Sequence, residues 1–323
     1  MRRRGVAVAA AWPAPIRARC ADDLRRCVPP VDSLLVPAQL TVNGLAVGAI
    51  YALVALGLVL CYKATEVLNF AHGDLLMFAA FIGWGLVAVL KLPFWPALLA
   101  TALIVAALAY GIDALLMRRI VGQPQFAGVM LTIALAFMLR GLISMGFGPE
   151  SRNYPTPWTG QTTHVGGVAI ANLQLVIVGM SLAVTAALLL FFRSTRLGVA
   201  MQAASQNQLA AYLTGVRVKR VNSLVWALAG ATAAVAGVLL APITLVDVTL
   251  WFVVLKALAA LVLGGFGSIA GAIVGGLLIG LIEQYAGVYL PDGSKDIVAY
   301  VVLIAVLIVR PHGLLGEAHG KRV

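Results

Sequence analysis

The stretch KATEVLNFAHGDLLMFAAF, residues 63–81, gathers Lys63, Glu66, His72 and Asp74 between two apolar runs. Ionisable groups at membrane depth are costly, and they mark solute or proton paths unless they sit at an interface. Asn69, His72 and Asp74 are therefore pathway candidates. Each also has a plain structural reading. Asp74 suits the N-cap of a helix over 75–90, accepting backbone N–H bonds at the positive end of the helix dipole. His72 suits a hydrogen-bonded interfacial position. Arg140 follows FAGVMLTIALAFML, and Lys256 lies inside TLWFVVLKALAALVLGG. A charge at such depth costs at least about 2.5 kcal/mol, so each needs a partner, a wet cavity or a snorkelling route. Asp113 and Glu283 are the nearest candidate carboxylates. This scarcity of intramembrane carboxylates argues against proton or sodium coupling. The cysteines at 20, 27 and 61 show neither metal spacing nor an even disulfide framework. No catalytic residue, metal site or cofactor is assigned.

The elements that must hold these residues are membrane helices. The chain of 323 residues is 62% hydrophobic and 11% charged, with a mean hydropathy of +0.99, against about 25% charged in soluble domains. Runs free of Asp, Glu, Lys and Arg cover 33–62, 92–112, 153–192, 221–246 and 257–282, each long enough for the roughly 20 residues of a spanning helix. A barrel would alternate apolar and polar residues in segments of about 10. The expected fold is an all-α polytopic bundle of about eight segments: 38–62, 75–90, 93–117, 126–147, 168–192, 221–242, 251–288 and 296–309. The seventh would measure about 57 Å as one helix, nearly twice a hydrocarbon core, so a break is expected at Gly264, Gly265 and Gly267.

The net charge of +11 is not a nucleic-acid signal, since seven arginines fall in the first 26 residues and the rest lie between spans. Arg118 and Arg119, then Arg193, Arg196, Arg217, Lys219 and Arg220, then Arg310, Lys321 and Arg322, place their loops and the C-terminus in the cytoplasm. The loop 148–167 falls outside. Counting back puts the N-terminus outside, against its arginines, so either the tail is not native or an early segment, 75–90, is re-entrant. Residues 1–37 read as a disordered basic extension or a start-site artefact, with a weak likeness to a secretory signal. Residues 38–311 form the membrane domain, with a cytoplasmic loop at 193–220, and 312–323 form a cytoplasmic tail.

LVLGGFGSIAGAIVGGLLIG contains seven glycines, with Gly267, Gly271 and Gly275 four apart. Small residues at this spacing let helix backbones approach closely in a membrane, as do Gly230, Ala234 and Gly237. The other reading is a discontinuous helix whose free backbone groups line a solute path. LNFAHGDLLMF and LGGFGSIAGAI each set an aromatic residue, Phe70 or Phe266, before an apolar run. That likeness fits a degenerate inverted repeat.

From Arg193 the chain reads RSTRLGVAMQAASQNQLAAYLTGVRVKRVNSLVWALAG. Residues 193–220 are too polar to insert and favour a helix over 199–213, closed by Gly215 as a C-cap. Leu209, Ala210, Ala211, three more residues and Gly215 resemble the E-A-A-x-x-x-G loop by which ABC import permeases dock on their ATPases, with Leu209 in place of the acidic residue. Arg217 follows it.

Together, AIYALVALGLVLCYKATEVLNFAHGDLLMFAAF, the AAYLTG loop with AGATAAVAGVLLAP behind it, and LKALAALVLGGFGSIAGAIVGGLLIGLIE resemble the branched-chain amino acid ABC transporter permease family, on the LivH side of its LivH/LivM pair. The likeness runs from about Leu40 to Pro311. It implies a multi-pass bacterial inner-membrane permease that works with a second permease, two ATP-binding subunits and a periplasmic binding protein, in contact with lipid and not with nucleic acid. A short list of rivals stays open: a permease for urea or short amides, an ion-coupled carrier, or a membrane scaffold. No G-x-x-x-x-G-K-[ST] loop occurs, so the chain is expected to be a transport subunit and not an enzyme.

Overall fold

The computed structural model describes residues 35–65, 67–120, 123–165, 168–206, 208–310 and 312–316. Expectations for residues 1–34, Glu66, Pro311, Lys321 and Arg322 lie outside the described residues.

The helices are α1 (Leu35–Thr65), α2 (His72–Trp84), α3 (Phe94–Leu115), α4 (Gln125–Phe147), α5 (Asn172–Ser194), α6 (Arg196–Gln206), α7 (Gln208–Leu213), α8 (Val218–Leu240), α9 (Val253–Gly264), α10 (Ile269–Tyr289) and α11 (Ser294–Val309). A π-helical turn, Gly85–Val89, prolongs α2, and 3₁₀ turns occupy Met117–Arg119 and Val248–Phe252. A hairpin of β1 (Thr162–Val165) and β2 (Val168–Ala171) precedes α5. Among the described residues, seven helices are long and apolar enough to cross a membrane, with the segment Val248–Gly264 apolar but shorter.

The core forms around α1. Lipid supplies no hydrophobic force between helices, so contact is set by how closely backbones fit. Glycines set that fit. A Cβ on Gly48 would come 2.9 Å from Leu277 Cα of α10, and one on Gly44 would come 2.9 Å from Leu281 Cα. From α10, Gly276 and Gly280 abut Ala52 and Gly48 in return. On the other flank α8 packs against α1, α2 and α3. Gly230 faces the Val105 carbonyl and Ala109 of α3, and Gly237 faces the Leu76 carbonyl of α2.

Two helices begin inside the bundle. His72, at the start of α2, lies against Gly57 of α1 and Thr232 of α8, about 12 Å short of the end of α1 at ~1.5 Å per residue. From there α2 runs to the far end, where Gly83 lies near Val238, Tyr154 and Thr101. After α8 the chain turns back through 241–247, and the Trp251 carbonyl and Val254 close on Gly73. The starts of α2 and α9 thus meet within the bundle. The expected 75–90 span begins earlier, at His72, and with its π-helical turn is long enough to cross a membrane.

The long apolar region breaks between Gly264 and Ile269. Gly265 (φ 111°) and Gly267 (φ 82°) take left-handed backbone there, where only glycine is unstrained. Ser268 caps α10, its hydroxyl accepting from Gly271 N–H at 3.0 Å. Leu314 and Leu315 N–H groups donate to the Leu263 and Gly264 carbonyls at 2.8 and 2.9 Å. The last described residues therefore satisfy the end of α9.

One end of the bundle carries Lys63, Arg118, Arg119, Arg193, Arg196, Arg217, Lys219, Arg220 and Arg310 at helix ends or between helices. The hairpin, the 241–247 loop and the start of α1 share the other end, where Gln39 Nε2 donates to the Ala169 carbonyl at 2.6 Å and Arg152 pairs with Val246.

Candidate functional site

Asn69 shapes the turn into α2: its side-chain oxygen accepts from Ala71 N–H at 3.1 Å, while its amide points at Cys61 Sγ at 4.0 Å. Phe70 N–H donates to Thr132 Oγ1 of α4 at 3.3 Å. His72 is fully buried, and neither ring nitrogen has a partner among the described residues. The Val54 carbonyl lies near the ring without making a hydrogen bond of good geometry.

Asp74 is not the N-cap. The helix starts at His72, the cap position is Ala71, and no side chain caps it. Asp74 instead turns to Arg140 of α4, which donates from Nε at 3.1 Å and Nη2 at 3.2 Å. A buried carboxylate gains more from a bidentate guanidinium than from one more backbone N–H. The Arg140 guanidinium also lies 4.0 Å from the Trp251 ring centroid and 5.2 Å from that of Phe137. Neither Asp113 nor Glu283 serves it. Asp113 accepts from Ser223 and faces Arg118 Nε at 3.8 Å. Lys256 donates to Glu283 and Asp296, each at 2.9 Å, and Tyr51 donates to Glu283 at 2.7 Å. Charges removed from water persist when paired in this way.

The glycines divide by neighbour. Gly264, Gly271 and Gly275 close the α9–α10 pair, with Gly271 against Gly264 and Gly275 against the Ala260 carbonyl. Gly267 is not part of a packed stripe: a Cβ there would meet only Lys63 Cε, at 3.8 Å, and its role is its positive φ. Beside this turn a cavity of about 1010 Å³ opens at the basic end, lined by Lys63, Gln125, Gln202, Ser205, Ser268 and His312 among others.

The polar loop is helical over α6 and α7, which cover the expected 199–213 helix apart from residue 207, outside the described residues. Gly215 is left-handed (φ 89°) after α7, its N–H reaching the Tyr212 carbonyl at 3.0 Å. Ala211 is buried in a cluster with Leu188 and Phe192 of α5, Met201 of α6, and Val221 and Val225 of α8. Tyr212 and Leu213 are 68% and 75% exposed. Arg217 stands at the start of α8. The side chain of Leu209 lies outside the described residues. Sequence reasoning missed Trp251, whose signal was an aromatic pair just before Lys256, and the outward residues Tyr212 and Leu213.

Among the described residues no group of His, Cys, Asp and Glu could hold a metal ion. The arrangement is one of paired charges inside a helical bundle. A family model described as "Branched-chain amino acid transport system / permease component" matches residues 40–307. The chain is 32% identical over 299 residues to the high-affinity branched-chain amino acid transport system permease protein BraD of Pseudomonas aeruginosa, covering 88% of this chain and 97% of that protein. It is 32% identical over 296 residues to the corresponding permease LivH of Escherichia coli K12, covering 87% and 96%. A probable LivH of Methanocaldococcus jannaschii is 26% identical over 288 residues, covering 82% and 88%. With a polytopic helical bundle and a family match over most of its length, this chain belongs to the permease-component family of branched-chain amino acid transport systems.

Proposed function

We propose that the chain is a transmembrane permease subunit of an ATP-driven ABC importer for branched-chain amino acids, in the bacterial inner membrane, with its basic end and C-terminus in the cytoplasm. Its partners are a second, LivM-like permease, two ATP-binding subunits and a periplasmic binding protein. The sequence carries no P-loop, so ATP is hydrolysed by the partners. The names of the relatives support the solute class.

The observation that carries the reading is the α6–α7 module. It packs through Ala211 onto α5 and α8 and turns Tyr212 and Leu213 outward at the basic end. Two large apolar side chains held out on a polar segment suit a protein partner. Closure of the ATPase pair would push this module, and α5 and α8 would transmit the movement to α1 and α2. Alternating access follows if the contact between the starts of α2 and α9 opens and closes. Ion coupling is disfavoured, because Asp74, Asp113 and Glu283 each face a basic group.

The test is co-purification of the complex and leucine uptake in proteoliposomes. Tyr212→Asp with Leu213→Asp should leave the protein in the membrane but abolish ATPase association and uptake. Assembly and uptake at wild-type levels would remove the docking role. Ala211→Glu perturbs the module's own packing and serves as the folding control.

A further inference from the structure

Asp74 and Arg140 place one negative and one positive charge at a single point inside the bundle, where α2 begins. The Asp74 carboxylate is buried, whereas the Arg140 side chain is 22% exposed against the rings of Phe137 and Trp251. A guanidinium facing bare hydrocarbon at this depth is unfavourable, so this face requires water, solute or a second subunit beside it. A tie between α2 and α4 alone would not need that exposure. Near the start of α2, Leu58, Asn69, Phe70, Val254, Leu255 and Leu258 line a crevice of about 10 Å³, close to the room one water needs.

We propose that Asp74 and Arg140 recognise the two charges of a free α-amino acid in transit, the ammonium taking Asp74 and the carboxylate taking Arg140, with the aliphatic side chain directed to the crevice. The inference rests on the permease reading and adds the residues that meet the solute. A zwitterion entering a low-dielectric site loses hydration at both charges, and an unpaired buried charge is strongly disfavoured. Exchange with an existing ion pair leaves every charge paired before and after. Arg140 is prepared for the exchange: when Asp74 turns to the ammonium, the guanidinium keeps the faces of Trp251 and Phe137, and cation–π contacts strengthen when desolvated. Urea and neutral amides cannot satisfy both partners. The crevice is too small for a branched side chain, so entry requires α2 and the 248–252 turn to part at Gly73, the movement that ATP would drive.

The experiment uses the assembled complex in nanodiscs and reads Trp251 as the difference in fluorescence between wild type and Trp251→Phe. Leucine should change that signal, whereas leucinamide, lacking the carboxylate, and isocaproate, lacking the ammonium, should need at least about tenfold more, since one partner of a buried pair is then unmet. Equal responses to all three, or none to leucine at concentrations that saturate uptake, overturn the proposal. The double variant Asp74→Asn, Arg140→Gln removes both charges together. It should still co-purify with its ATPases, and lose leucine uptake by about tenfold or more. Uptake at wild-type rate in that variant overturns the pair but leaves the permease reading standing. Failure of the wild-type complex to move leucine with ATP overturns the permease reading itself. If the double variant does not assemble, the wild-type fluorescence with the three solutes decides.

Discussion

The ring of His72 fills the space left by the missing side chain of Gly57. A Cβ at residue 57 would come 2.6 Å from His72 Nε2 and 2.7 Å from Thr232 Oγ1. The depth at which α2 begins is therefore set by a glycine on α1. Gly57→Ala should lower the melting temperature in detergent, with an overpacking cost of about 1–3 kcal/mol. His72→Ala in the same chain should restore part of it, giving a coupling of roughly 0.5–3 kcal/mol in a double-mutant cycle. Additive effects would show that the two residues do not compete for this space.

Lys256 separates a buried bond from an exposed one. Glu283 is almost wholly buried and Asp296 is 78% exposed, yet both accept from Lys256 at 2.9 Å. Exposed pairs contribute about 0–1 kcal/mol, while removing one partner of a buried pair costs about 3–5 kcal/mol. Glu283→Gln should thus lower the melting temperature far more than Asp296→Asn. Equal losses from the two substitutions would contradict this division.

Asp247 lies in the loop at the non-basic end. The Ser151 hydroxyl and the Thr249 N–H, at 2.7 Å, donate to it, and these bonds hold its carboxyl below the usual range. The folded value is lower than the unfolded one, so the stabilisation is fully present above the unfolded pKa of about 3.9 and is lost as pH falls through the folded value. Asp247→Asn should lower the melting temperature by a constant amount above about pH 5, and the gap should close on acidification below about pH 4. A gap independent of pH would exclude ionisation of Asp247 as its cause.

Orientation is tested by accessibility. In a background without Cys20, Cys27 and Cys61, Gln161→Cys should react with an impermeant thiol reagent on intact cells, since Gln161 is exposed beside the hairpin. Ser205→Cys lines the cavity at the basic end and should react only after the cytoplasm is opened. Labelling of residue 205 from outside would invert the topology and remove the cytoplasmic site for α6 and α7.

Several parts of this structure were legible because they depend on local chemistry. Charge-free runs of spanning length specify helices wherever lipid forbids unpaired backbone groups. The break near Gly264–Gly267 followed from length, since one helix over 251–288 would exceed the bilayer. Gly215 followed from its place after a helical run, where a left-handed residue closes the last turn.

The pairings were decided only by tertiary structure. Sequence offered Asp113 and Glu283 to Arg140 and Lys256; Lys256 does take Glu283, but Asp113 faces Arg118, and Arg140 finds Asp74 on another helix. Local preference would have made Asp74 an N-cap, but a bidentate partner outweighs one backbone donor once both charges are out of water. The glycine spacing indicated close approach without saying to what. Gly271 and Gly275 meet α9, Gly276 and Gly280 meet α1, and Gly267 only turns the chain. A periodic pattern fixes which residues share a helix face, whereas the helix that face meets depends on the packing of the whole bundle. Spans and turns were therefore determined by the sequence alone, and the site joining α2, α4 and the 248–252 turn was decided by how those spans fold together.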